Sequence, residues 1–351
     1  MHYKLLGRSG MRVSELSLGT MTFGETWGWG SSKEESKKVF DAYAEAGGNF
    51  IDTANRYTEG TSEEYVGDFI ASDREHFVLA TKYTLSGKTK NPNASGNHRK
   101  NMVQALDASL KRLKTDYIDL YWVHAWDFTT PIEEVMRALD DQVRAGKILH
   151  IGVSDTPAWV VARANTIAEH RGWTPFTALQ IEYSLIERTP ERDLLPMAKA
   201  LDIAVTPWAP LAGGLLTGKY TAEAKPHTDI KEGERAQRLL PGQGRLDEKN
   251  LAIARVVDDV AKDVGVSASQ VAIAWLLAQP GVIIPIVGAR REVQIKENLG
   301  AVNVKFSIEQ LKKLSDASQI ELGFPHAFLQ SQGVKEVISG GMFDKIDNHR
   351  Q

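Results

Sequence analysis

Asp52, Tyr57, Lys82 and His124 are four polar residues whose types could carry out acid–base chemistry together. A tyrosine hydroxyl has a pKa near ~10, so it exchanges protons near neutrality only beside groups that tune it. An ammonium at Lys82 would favour the phenolate of Tyr57 and lower that pKa. A carboxylate at Asp52 would hold the lysine by a charge-assisted hydrogen bond, and His124 would orient a substrate carbonyl and share the proton. The implied chemistry is protonation of a carbonyl oxygen by Tyr57 as a hydride reaches the carbon. No side chain supplies a hydride, so a nicotinamide cofactor is expected. Singly, each residue has a plain structural reading: a turn aspartate, a solvated lysine, a buried histidine beside Trp122. Their shared placement favours the functional one.

Three of the four stand where a strand is predicted to end. Asp52 closes Asn49-Phe50-Ile51, Lys82 follows 77–81, and His124 follows 117–123, while Tyr57 lies five residues past Asp52 in the same loop. Strands are expected at 15–19, 48–51, 77–81, 117–123, 148–153, 178–181, 203–207 and 283–287. Helices alternate with them at 32–46, 62–71, 98–113, 131–145, 157–169, 190–200, 248–263 and 291–299. Continuous apolar runs such as Val282 to Val287 mark buried parallel strands, and the alternation marks βαβ units with right-handed crossovers. Eight such units predict a (β/α)8 TIM barrel, whose catalytic residues sit at the carboxyl ends of the strands. Ser32 with Glu35 predicts a capping box, Ser62 with Glu63 and Glu64 a helix start, and Thr130-Pro131 a proline in the first helical position.

Residues 3–13, turning at Gly7 to Gly10, predict a hairpin that caps one barrel end. The segment 209–247 is a long connection after the seventh strand, functional or mobile at that length. A helix at 267–279, a further one at 307–318 and a tail at 319–351 are additions to the repeat, and the whole is expected to form one domain, 1–351.

The 351 residues suit one barrel with insertions, and a hydrophobic fraction of 42% provides for one large core. A net charge of −3 gives no broad basic field, so nucleic acid is not expected as a partner. The absence of cysteine excludes disulfides and thiolate metal sites. The nine histidines are scattered without an H-E-x-x-H pattern, so metal-free catalysis is expected. No signal-like or membrane-length apolar run occurs, and a cytoplasmic location without membrane attachment is expected. The oligomeric state is not readable.

Three patterns bear on phosphate binding. No G-x-G-x-x-G follows a strand, so a Rossmann domain is not supported. Gly213-Gly214-Leu215-Leu216-Thr217-Gly218-Lys219 fits G-x-x-x-x-G-K, but Tyr220 replaces the serine or threonine that would bind magnesium, so a nucleotide triphosphatase is disfavoured. Gly288-Ala289-Arg290-Arg291 leads directly into a helix, whose amino-terminal amides favour a phosphate. Arg290 and Arg291 suit a 2'-phosphate, which predicts NADPH over NADH.

The chain resembles the aldo-keto reductase family from about Tyr3 to about Leu314. The resemblance rests on Leu18-Gly19-Thr20-Met21-Thr22-Phe23-Gly24; Asn49 to Ala54 followed by Tyr57; Tyr117 to Leu120 ending at His124; Gly146-Lys147-Ile148 with Gly152-Val153-Ser154; Gln180-Ile181-Glu182-Tyr183; and Ile284 to Arg290. It is similar above all to bacterial members related to the potassium-channel β-subunit and aryl-alcohol dehydrogenase branches.

The resemblance implies a (β/α)8 barrel, a catalytic tetrad at Asp52, Tyr57, Lys82 and His124, and NADPH/NADP+ as cofactor. It places Gly19, Thr20, Met21 and Asp52 at the cofactor, with Ser154, Asp155 and Gln180 on the carboxamide and Trp208 against the nicotinamide face. Pro210, Leu211, Gly213 and Lys219 would lie over the pyrophosphate. Gly288, Arg290, Arg291, Gln294, Glu297 and Asn298 would meet the adenosine end. The family often has asparagine where Asp155 stands, and an aspartate accepts from the carboxamide NH2 but does not donate to its oxygen.

Trp27, Trp29, Tyr83 and Trp126 are the expected aromatic walls of a pocket for a bulky carbonyl compound, such as an aromatic aldehyde or a keto natural product or toxin. The alternatives are an NADPH-binding regulatory subunit with incidental turnover and a barrel hydrolase or isomerase that binds no nicotinamide.

Overall fold

The computed structural model describes residues 1–87, 90–221 and 246–348. Most of the expected long connection, 222–245, lies outside the described residues, as do 349–351 at the end of the tail. A hairpin of β1 (Tyr3–Leu5) and β2 (Arg12–Ser14) comes first. Eight parallel strands follow: β3 (Ser17–Gly19), β4 (Phe50–Asp52), β5 (Val78–Tyr83), β6 (Ile118–Val123), β7 (Ile148–Ser154), β8 (Phe176–Glu182), β9 (Ala204–Trp208) and β10 (Ile286–Val287). They pair in sequence order, with β10 beside β3. Between β9 and β10 the Val205 amide donates to Val282 O at 2.8 Å and the Ile284 amide to Val205 O at 2.8 Å, which brings the sheet round to an almost closed barrel.

Helices separate the strands: α1 (Lys33–Glu45), α2 (Thr61–Ile70), α3 (Arg99–Leu113), α4 (Ile132–Arg144), α5 (Ala158–Arg171) and α6 (Leu194–Ala200). Beyond β9 come α7 (Glu248–Val264) and α8 (Ala268–Leu277), and after β10 come α9 (Glu292–Leu299) and α10 (Ile308–Ala317).

Side chains alternate along each strand between the barrel interior and the helix layer. Phe50, Val78, Ala80, Leu120, Trp122, Ala178 and Ala204 form an interior cluster, and Leu6 and Val13 of the hairpin join it from one end. Burial of each large apolar side chain there contributes about 1.5–3 kcal/mol. The alternation aims the next inward positions, Asp52, Lys82 and His124, into the opposite mouth. Gly152 on β7 faces Trp122, whose ring carbon lies 2.4 Å from where a Cβ would stand, so only glycine fits.

The expected caps are partly corrected. Ser32 accepts from the Glu35 amide at 3.3 Å, but the Glu35 carboxylate turns away to accept from the Glu292 amide at 3.2 Å, so no reciprocal box forms. Ser62 lies inside the first turn of α2, which Gly60 precedes, and its hydroxyl donates to Thr20 O at 2.8 Å. Pro131 precedes α4 as its N-cap rather than occupying its first position.

Candidate active site

Strand register brings the quartet together: Asp52 is level with Ala80, and Lys82 with Trp122. The Lys82 ammonium is buried and has three oxygen partners. It donates to the Asp52 carboxylate in an ion pair, to Thr53 O at 2.9 Å and to the Tyr57 hydroxyl at 3.0 Å. Gln180 Nε2 donates to the other Asp52 oxygen at 2.9 Å, so Asp52 is held from two strands. The turn carrying Tyr57 is strained: Thr58 and Glu59 have φ of 45° and 58°, a conformation that side-chain anchors must hold. Thr58 provides one by donating to Phe23 O at 2.7 Å and accepting from the Ser62 amide at 3.1 Å. The His124 ring stands edge-on to Tyr57, with centroids 5.9 Å apart.

Burial raises the Tyr57 hydroxyl pKa above its ordinary value, and the attraction of Lys82 only partly offsets this. The expected net lowering by Lys82 is therefore corrected, because removal from water outweighs the neighbouring ammonium. Tyr57 stays protonated, the state a proton donor needs. Burial alone would push Lys82 down, but Asp52 and Tyr57 together hold it above its usual value as a cation. Burial and the Lys82 charge drive the His124 pKa far down, so its imidazole is neutral, and its buried Nδ1 has no protein partner.

A cleft of about 700 Å³ opens above these residues. Its walls include Asp52, Tyr57, His124, Gly19, Met21, Ser154, Asp155, Gln180, Trp208, Pro210, Leu211, Gly213 and Lys219. At one end lie Gly288, Arg290, Gln294, Glu297 and Asn298, and Trp29 is the one expected pocket aromatic that lines it. Thr20 and Arg291 were expected at the cofactor but are not among these walls. Thr20 is buried behind, donating to Asp52 O at 3.0 Å, and Arg291 contributes its charge to Glu35.

Three pocket aromatics are corrected. Tyr83 is fully buried and stacked on Tyr121 at 5.4 Å, because β5 runs on through Lys82 and its alternation turns Tyr83 toward the helices. Trp126 packs on the helix-side core, and Trp27 lies against Trp29 at 5.6 Å, outside the cleft wall. Thr22, Gly214, Thr217 and Ser269 line the cleft and were missed. Thr22 and Gly214 adjoin residues that were named and Thr217 stands two before Lys219, whereas Ser269 carries no signal beyond the first turn of α8.

The cleft fits an extended dinucleotide. Ser154 Oγ is buried without a protein partner at the quartet end, a donor suited to a carboxamide oxygen. At the other end the amides of Arg290 and Arg291 point to Gln294 Oε1 at 3.0 and 3.2 Å, marking the start of α9 as an acceptor-binding turn. Gly213 and Gly214, at φ of 69° and 102°, bring backbone close to the space between. Asp155 sits at the lip, open to the cleft yet packed round by protein. Burial pushes its pKa up to about 6, against a hydrogen bond from Trp208 Nε1 at 3.0 Å.

An aryl-alcohol dehydrogenase [NADP(+)] of Phanerodontia chrysosporium is 37% identical, over 98% of this chain and 93% of the relative. A norsolorinic acid reductase of Emericella nidulans is 39% identical, over 93% of this chain and 84% of the relative. An aryl-alcohol dehydrogenase of Pestalotiopsis microspora is 35% identical, over 95% and 86%. These relatives are fungal, where the sequence had suggested bacterial ones. The model of the Aldo/keto reductase family matches residues 15–319, a span holding all eight barrel strands and the whole quartet, and the chain belongs to that family.

Proposed function

We propose that the protein reduces an aldehyde or ketone to the alcohol, with NADPH as cofactor and a bulky or aromatic carbonyl compound as substrate. The observation that carries this is the buried Asp52–Lys82 pair holding the Tyr57 hydroxyl at 3.0 Å on the floor of a dinucleotide-sized cleft. NADPH, when bound, supplies the hydride. Tyr57 donates its proton to the carbonyl oxygen, and Lys82 stabilises the phenolate that results. Asp52 keeps Lys82 charged and aimed. Neutral His124, edge-on to the Tyr57 ring, orients the carbonyl. Ser154 and Gln180 position the carboxamide, and Arg290 meets the 2'-phosphate.

The relatives' names, aryl-alcohol dehydrogenase and norsolorinic acid reductase, support an aromatic substrate, as do Trp29 and Trp208 in the cleft wall. The test is NADPH oxidation followed by absorbance with 4-nitrobenzaldehyde and a panel of aromatic ketones and quinones. Turnover lost in Tyr57→Phe supports the reductase. Tight NADPH binding with no turnover across the panel would instead favour a regulatory subunit, and no dinucleotide binding at all would sink both.

A further inference from the structure

Asp155 is held from three sides. Its amide donates to Gln180 O at 3.2 Å, its carbonyl accepts from the Trp126 amide at 3.4 Å, and its carboxylate accepts from Trp208 Nε1 at 3.0 Å. Its backbone is left-handed, at φ 44°. The side chain is therefore fixed at the cleft lip beside Ser154, Gln180 and Trp208, at the end that also holds Tyr57 and His124.

Charge at that end sums simply. Asp52 and Lys82 cancel as an ion pair, while Tyr57 is neutral and His124 is neutral. Asp155 adds a carboxylate to this balanced quartet, with Glu182 of β8 as a second acid facing it, and its charge is felt at Tyr57. Resting on the functional reading above, we propose that the Asp155 carboxylate makes the cleft discriminate between the oxidation states of its nicotinamide, favouring the cationic oxidised ring over the neutral reduced one. A fixed anion attracts a cationic ring far more than a neutral one. An amide at this position would bond the carboxamide without supplying that preference.

The groups facing Asp155 are Lys82 from β5, Glu182 from β8 and Tyr57 from the loop after β4, with Trp208 from β9 as the uncharged donor. Lys82 favours the ionised form and Glu182 opposes it, and burial outweighs both, so Asp155 ionises as pH rises through about 6. The preference for the oxidised cofactor should appear over that interval.

The experiment is to measure Kd for NADP+ and for NADPH by tryptophan fluorescence, from pH 5 to pH 8, in the wild type and Asp155→Asn. Asparagine tolerates the left-handed backbone and its oxygen still accepts from Trp208. Taking the ratio of the two constants cancels the 2'-phosphate and adenosine, which both forms share. In the wild type, Kd(NADP+)/Kd(NADPH) should fall about five- to tenfold as pH rises across the range. In Asp155→Asn the ratio should be flat across the range and about five- to tenfold higher than the wild-type ratio at pH 8, whatever the two constants are individually.

A wild-type ratio independent of pH overturns the proposal without recourse to any variant, and so does an Asp155→Asn protein that weakens both forms equally. A protein that binds neither dinucleotide overturns the functional reading instead.

Discussion

At the scale of single residues, the quartet works because each member's charge state is set by its neighbours. Removing the Tyr57 hydroxyl alone should leave the fold intact and cost turnover: Tyr57→Phe is expected to lower kcat by about 10²–10⁴-fold, with the melting temperature hardly changed. Lys82→Met behaves differently because it leaves Asp52 buried without its cation. Loss of one partner of a buried pair costs about 3–5 kcal/mol, so urea unfolding should show a large fall in stability besides lost activity. His124 adds a pH dependence to stability. Burial and Lys82 hold its folded-state pKa well below the ordinary 6.5, so beneath that pH the unfolded chain takes up a proton that the folded chain refuses. Its contribution is a loss of stability as pH falls through 6.5, and His124→Asn should reduce the acid-side slope of urea midpoints. An unchanged slope would show that the imidazole is already charged in the folded state.

At the scale of elements, β5 shows what the sequence disclosed and what it did not. The quartet was legible because three of its members close strands whose apolar runs are plain, and Tyr57 follows one of them at short range. The strand's true end was not, since Lys82 and Tyr83 interrupt the apolar run and suggest a loop, while the register with β6 carries pairing on to Tyr83. Two residues of boundary decided whether Tyr83 faced substrate or core. The state of Tyr57 was equally out of reach, because it depends on burial, which spacing does not encode. The close approach of Gly152 to Trp122 appears only in three dimensions, and Gly152→Ala should destabilise the barrel by about 1–3 kcal/mol in urea unfolding, with the strand chemistry unchanged. The start of α9 separates two arginines that the sequence treated alike. Arg290 faces the cleft and Arg291 does not. Arg290→Ala should raise KM for NADPH roughly tenfold to a hundredfold, as expected for a lost hydrogen bond to a charged group, and leave NADH nearly unaffected. Arg291→Ala should change neither much, and equal effects of the two substitutions would refute the distinction.

At the scale of the whole molecule, the eight-fold alternation places chemistry at one mouth and closes the other. The hairpin does the closing: Leu6 and Val13 enter the interior cluster with Ala204 and Ile284, the Arg8 amide donates to Asp202 O at 2.8 Å, and Lys4 Nζ donates to Ile283 O at 2.7 Å across 279 positions of sequence. Those partners belong to β9, the turn before it and the approach to β10, the last parts of the barrel to be synthesised. Contacts of such separation close slowly and late. A piece made early, already tied to Asn49 by the Ser14 amide, therefore gains its last partners only when the end of the barrel has been made, and the closed floor is the final part of the molecule to be completed.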